Sequence, residues 1–337
     1  MNSTGCRIAA VAHALPGHVV SNQAIIDAQR LRLKDAWVRA NIGIEERRWC
    51  GEGETTSHLA AAVCTSLLER TGLRPGDVSR LIVATVSPDV MTPSTACIAQ
   101  SIFAAGSTFP CVDVVAACSG FVFALDLARR CVQTGDERVL CVAAEVRSAF
   151  LDKQDRRTVM LFGDAAAGVL LERCRPGEVG VVSTRAHSDG RYWDAVSVPA
   201  GGVRRPASAE TVAQREHCIA MKDGGLIFER AVAEMADLAA RTVAEQGLGV
   251  GDVDFFVFHQ ASGAIVAKAC ERLGVPPAKT HVNFARYGNT TAASVPLALS
   301  EARDLGLVRP GQLVLLVATG GGFTAGSALL RWEEGTR

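Results

Sequence analysis

The chain runs to 337 residues, 48% of them hydrophobic, which suits two domains or one large fused core and argues against disorder. Lys plus Arg balances Asp plus Glu at 35 each, and no basic stripe carries interleaved aromatics, which argues against nucleic acid as the main partner. Eleven cysteines without a CxxC pair or zinc-spaced Cys/His cluster, an N-terminus without a signal-peptide pattern, and no apolar run of about 18 residues lead us to expect a cytoplasmic protein. It should have no membrane span, no structural metal and no disulfide framework.

In chain order, SHLAAAVCTSLLERTG reads as a helix and RLIVATVS as a buried strand. A helix from about Ser94 follows, then the strand CVDVV, a helix over residues 119–134 ended by Gly135, and the strands RVLCVAAE and AAGVLLE. Residues 185–223 break the pattern. They are polar, rich in Gly and Pro and too long for an ordinary connection, so they are expected to form a lid or substrate-facing loop. The long helix GLIFERAVAEMADLAARTVAEQG comes next, then the strand VDFFVFH and a helix from about Ser262. The strand THVNF, a helix opened by NTTAASVPLAL, and the strand QLVLLVAT complete the pattern.

Alternation of this kind predicts an α/β protein with sheets covered on both faces. The second series repeats the first in degenerate form. Cys118 and Asn289 take matching places, as do Leu81 and Val253, which implies an internal duplication into halves 1–175 and 176–337 that pack face to face.

Cys118, in VDVVAACSGFVFALDLARRC, sits where extended sequence gives way to helical sequence. A helix N-terminus would favour its thiolate, and the small neighbours would admit a substrate; the same residue could equally be a buried core cysteine. His259 ends an apolar strand just before a helix, where open sheets place functional groups, although alone it reads as a structural histidine. Asn289 alone reads as a helix cap. The repeat brings all three to strand-to-helix turns, from which they can converge. The run ATGGGFTAGSALL lacks both GxxxxGK[ST] and GxGxxG, so its bare N–H groups suit an oxyanion hole better than a nucleotide.

The motifs AACSGF, LFGDAAAGVLL, FHQAS, YGNTTAASVPLAL and RPGQLVLLVATGGGFTAGSALLRW, in this order, resemble ketoacyl-acyl carrier protein synthase III over essentially the whole chain. The resemblance implies a thiolase-like five-layer αβαβα fold, a homodimer, and acyl-CoA as a substrate with no cofactor. It makes Cys118, His259 and Asn289 the catalytic set, with the N–H groups of Cys118 and Gly321 as oxyanion hole. Trp37 and Arg156 would sandwich the adenine, Gly224 would lie along the coenzyme arm, and Thr92 would reach into the partner subunit's acyl pocket. Three departures stand out. Asn41 replaces a basic residue and Ala264 replaces the arginine expected to dock acyl carrier protein. Gly225 lies where an asparagine often helps bind the pantetheine arm.

Three functions follow from that resemblance. The first is decarboxylative condensation of an acyl-CoA starter with malonyl-acyl carrier protein. The second moves the acyl group to an alcohol, amine or other small acceptor with His259 as general base, as in secondary metabolism. The third is a non-catalytic partner, which a complete Cys-His-Asn set argues against.

Overall fold

A computed structural model describes residues 5–175, 178 and 180–333. The expected boundary between halves falls on RPGEV, of which Pro176, Gly177 and Val179 lie outside the described residues.

The first sheet holds β1 (Gly5–Ala14), β2 (Arg80–Ala84), β3 (Cys111–Val114), β4 (Arg138–Glu145) and β5 (Ala165–Cys174) in the order β1-β5-β4-β2-β3. The second holds β6 (Val181–Ser188), β7 (Phe255–Phe258), β8 (Leu313–Gly320) and β9 (Thr324–Arg331) in the order β7-β8-β9-β6. Strands β2, β3 and β4 run parallel, as do β7 and β8, and the outer pairings are antiparallel. The central strands β4 and β8 are apolar along almost their whole length because helices cover both faces.

Six helices form the other three layers: α1 (Thr56–Thr71), α2 (Thr95–Phe103), α3 (Gly120–Thr134), α4 (Gly224–Ala244), α5 (Gly263–Leu273) and α6 (Ser294–Asp304). One apolar cluster joins the two sheets through α3 and α6, with Phe121, Leu125, Val295 and Leu299 meeting Ile82, Val169, Leu316 and Leu330. A second packs α1 and α2 on the outer face of the first sheet, and a third packs α4 and α5 on the outer face of the second. The result is the five-layer αβαβα arrangement that the family resemblance implied. Ser94 caps α2 and Ser262 caps α5 through their hydroxyls, where the sequence placed both starts. The helix α3 ends at Gly135, whose φ of 144° suits glycine alone.

Three expectations change. The segment THVNF is not a strand: Thr280 makes a single bridge to Phe256, and Phe284–Tyr287 coils into a helical turn. The Gln260 side chain takes the place of a ladder neighbour, donating to the His281 carbonyl and accepting from the Asn283 N–H. Second, the irregular segment begins at Asp189 rather than Arg185, because residues 185–188 complete β6. That strand alternates polar and half-buried residues because it lies at the sheet edge. Third, the matching places of the repeat shift. Ala117 (φ 46°) and Thr291 (φ 53°) hold the same left-handed kink before α3 and α6. Cys118 therefore matches Ala292, and Asn289 lies just ahead of the kink.

Candidate active site

The parallel strands deliver their C-terminal ends to one place, which is where open α/β sheets bind ligands. The residues following β2, β3, β4, β7 and β8 supply Val86, Cys118, Arg147, His259 and Gly321 to a single cavity of about 460 Å³. Asn289, Phe162 and Phe323 complete its wall, together with Val196, Met221 and Gly224. Cys118, His259 and Asn289, the three side chains expected to converge, line it together with Gly321 and Gly224.

Cys118 is half-buried and lines this cavity. The left-handed Ala117 before it turns the thiol out of the strand-to-helix path, a strained conformation held by the surrounding core. Ser119 anchors the turn, its hydroxyl donating to the Ala116 carbonyl at 2.9 Å and meeting Thr324 Oγ1 at 2.8 Å. The backbone N–H groups of Cys118 and Gly321 lie close enough to favour the Cys118 thiolate. Gly320 makes that approach possible: a Cβ there would lie 2.6 Å from the Cys118 nitrogen.

The thiolate expected from the helix N-terminus is not the resting state. Burial pushes the Cys118 thiol up to about 12, against the pull of Arg147 and of the two N–H groups, while Glu145 pushes it the same way as burial. Loss of water outweighs a helix end and one cation here.

His259 is almost wholly buried, and burial pushes its imidazolium down to about 3, so the ring is neutral at any ordinary pH. Its Nδ1 lies 2.6 Å from Ser294 Oγ. That hydroxyl already accepts the Gln260 N–H at 3.3 Å, and Nδ1 is the acceptor within reach of its own proton. With the hydroxyl donating to Nδ1, the ring takes the Nε2–H tautomer and presents Nε2–H as a donor.

Asn289 is cradled by the LFGD segment, donating its N–H to the Leu161 carbonyl at 2.9 Å and accepting the Gly163 N–H at 3.2 Å. Its Oδ1 accepts the Thr291 N–H at 2.9 Å, which frees the Nδ2 donors. Gly288, at φ +64°, could carry no side chain: a Cβ would sit 2.6 Å from the Leu161 oxygen. The site therefore sets one nucleophile beside two neutral hydrogen-bond donors, which can stabilise developing negative charge.

Trp37, half exposed on the helical turn Asp35–Asn41, lies apart from the cavity and borders a depression with Arg156, Arg157, Arg32 and Lys34. Asn41 spends its amide on the Trp37 carbonyl, and four cations line the depression beside it. Thr92 is exposed beside Met91 and does not line this cavity. Gly225 follows Gly224 into α4 but stays outside the cavity wall, and Ala264 is exposed on the first turn of α5.

Arg147, Glu145 and Ser294 escaped the sequence reading. The first two could have been noticed as charges closing the apolar run RVLCVAAEVR; nothing local marks Ser294, which matters only because α6 carries it to His259.

Residues 112–190 match the family model described as 3-oxoacyl-[acyl-carrier-protein] synthase III, and residues 243–332 match its C-terminal counterpart. The β-ketoacyl-[acyl-carrier-protein] synthase III of Chlorobium luteolum is 39% identical over 97% of this chain and 99% of its own. The crystal structure of the Aquifex aeolicus 3-oxoacyl-[acyl-carrier-protein] synthase III superposes with a TM-score of 0.87 at 33% identity, covering 97% of this chain and all of that one. A priming β-ketosynthase from a polyketide biosynthetic pathway superposes at 0.89 with 27% identity, over 99% of this chain and 98% of its own. The chain belongs to the β-ketoacyl-[acyl-carrier-protein] synthase III family of condensing acyltransferases.

Proposed function

We propose that Cys118 takes an acyl group from acyl-CoA and that His259 and Asn289 then drive its decarboxylative condensation with malonyl-acyl carrier protein. The thiol attacks the thioester carbonyl, and the N–H groups of Cys118 and Gly321 hold the oxyanion. As coenzyme A leaves, it carries away the thiol proton. The malonyl thioester carbonyl then lies against His259 Nε2–H and Asn289 Nδ2–H. Carbon dioxide departs, the two donors stabilise the enolate oxygen, and the enolate carbon attacks the acyl-Cys118 carbonyl. The carbon–sulfur bond to Cys118 then breaks, releasing the ketoacyl thioester and a thiolate that takes a proton from solvent.

The observation that carries this reading is the Ser294 hydroxyl on His259 Nδ1. It leaves Nε2 as a donor, which suits an enolate, whereas transfer to an alcohol or amine needs Nε2 as a proton acceptor. Asn289→Ala tests it. Removing one donor costs roughly 3 to 4 kcal/mol of barrier, so carbon dioxide release should fall about 10²–10³-fold. Acylation of Cys118 should stay within about twofold on the same reasoning, since the lost donor acts only on the later enolate. Equal loss of both steps would refute the division of roles.

The coenzyme's adenine is assigned to Trp37 and Arg156, and its phosphates to the cations beside them. A homodimer is assigned through the free edge of β3. Val112 and Val115 are exposed there, and Met91, 82% exposed, adjoins Thr92. A monomer in sedimentation at micromolar concentration would contradict that assembly. Among the described residues no helix is long and apolar enough to cross a membrane.

A further inference from the structure

Arg147 begins the turn after β4 and is 5% exposed, yet it lines the same cavity as Cys118. Its guanidinium lies 5.6 Å from the Phe150 ring centroid and 5.8 Å from that of Phe162. Nη1 donates to the Val86 carbonyl at 3.1 Å, and Nε–H has no acceptor. Among the described residues, no carboxylate lies within the 4.0 Å of an ion pair with it.

The carboxylate nearest in sequence, Glu145, is engaged elsewhere. It accepts the Ser87 hydroxyl at 2.5 Å and the Val86 N–H at 3.3 Å. Burial raises its acid toward neutrality, to about 7, which leaves it a weak counter-charge. A buried cation is normally paired, because its desolvation is otherwise uncompensated. Here no carboxylate partner is found among the described residues, most of the cavity wall is aliphatic or aromatic, and Arg147 lines the same space as Cys118.

We propose that Arg147 selects acyl groups ending in a carboxylate, so that the starter loaded on Cys118 derives from a dicarboxylic acyl-CoA. A guanidinium fork matches a carboxylate with two parallel N–H···O bonds, and the two phenyl rings keep water from competing. The loading step is unchanged in kind: the Cys118 sulfur bonds to the thioester carbonyl carbon, the carbon–sulfur bond to coenzyme A breaks, and the thiol proton leaves on the coenzyme. The distal carboxylate stays intact on Arg147. The inference rests on Cys118 being the acyl acceptor, and the test separates the two.

The unmodified protein is offered succinyl-CoA against 4-methylpentanoyl-CoA, which has the same shape with methyl groups for the carboxylate oxygens. Glutaryl-CoA is set against 5-methylhexanoyl-CoA in the same way. Cys118 acylation is followed by intact-protein mass spectrometry without any malonyl donor. The carboxylate partner should load at least about tenfold faster in each pair, in keeping with the strength of a charge-assisted bidentate contact. Arg147→Leu should invert that preference, and Arg147→Lys should retain part of it. Equal or faster loading of the neutral partners by the unmodified protein overturns the proposal while leaving the acylation reading intact. An Arg147→Leu variant that loads every starter normally and slows only with malonyl-acyl carrier protein also overturns it, by moving the cation to the second substrate. If no thioester acylates Cys118, the reading of the nucleophile itself falls.

Discussion

Removing the Ser294 hydroxyl should separate the two half-reactions. In Ser294→Ala, His259 Nδ1 loses the contact at 2.6 Å and the Gln260 N–H loses its acceptor at 3.3 Å. Gln260 is fully buried, so its orphaned N–H should destabilise the fold by about 1–3 kcal/mol. The ring keeps its place through packing but loses the bond that orients and polarises it, worth about 1–2 kcal/mol. Carried into the barrier, that is roughly a 5- to 30-fold slower loss of carbon dioxide, at about 1.4 kcal/mol per tenfold. Acylation of Cys118, which uses its own N–H and that of Gly321, should be unchanged within about twofold. The assay is single-turnover: acylate the enzyme, measure that rate by mass, then add malonyl-acyl carrier protein and follow labelled carbon dioxide. Unchanged decarboxylation, or equal slowing of both steps, would refute the assignment of His259 as an Nε2–H donor.

Three further outcomes follow from the same structure. Because burial holds the Cys118 thiol near 12, its alkylation by iodoacetamide should rise about tenfold per pH unit from pH 7 to 10, read by peptide mapping; a plateau near neutrality would show a stabilised thiolate. His259 is held neutral down to about 3 against an ordinary 6.5, so the stability it contributes is complete above 6.5 and is lost as pH falls toward 3. Denaturant titrations of wild type and His259→Asn should therefore differ by up to about 1.4 kcal/mol per pH unit across that window, and parallel curves would contradict it. Gly288→Ala forces a Cβ against the Leu161 carbonyl at a positive φ, and should cost about 3 kcal/mol of stability as well as displacing Asn289.

Much of this was legible because local and global signals agree. The strands β2, β4 and β8 are apolar runs bounded by polar turns, and both α2 and α5 begin at capping serines. Cys118, His259 and Asn289 could be picked out because each interrupts an apolar or small-residue run at a predicted turn. What escaped depends on contacts distant in sequence. THVNF has strand composition, but the Gln260 amide occupies the backbone groups a ladder would use. Ser294 acts on a residue 35 positions earlier. The register of the repeat was misjudged by three residues because Cys118 and Asn289 look alike as turn residues, whereas the backbone aligns their kinks at Ala117 and Thr291. The resting state of the thiol also went the other way. Position at a helix end can be read from sequence, but the depth of burial that overrides it cannot.

The central claim, that Cys118 carries an acyl group which malonyl-acyl carrier protein then removes by condensation, is tested most directly by intact-protein mass spectrometry in two stages. After incubation with a panel of acyl-CoAs, neutral and carboxylate-bearing, the mass should rise by one acyl group located on Cys118. Adding malonyl-acyl carrier protein should return the protein to its starting mass, with one carbon dioxide and one ketoacyl-carrier product per enzyme. A mass gain that malonyl-acyl carrier protein leaves in place, or that persists in Cys118→Ala, would contradict the account.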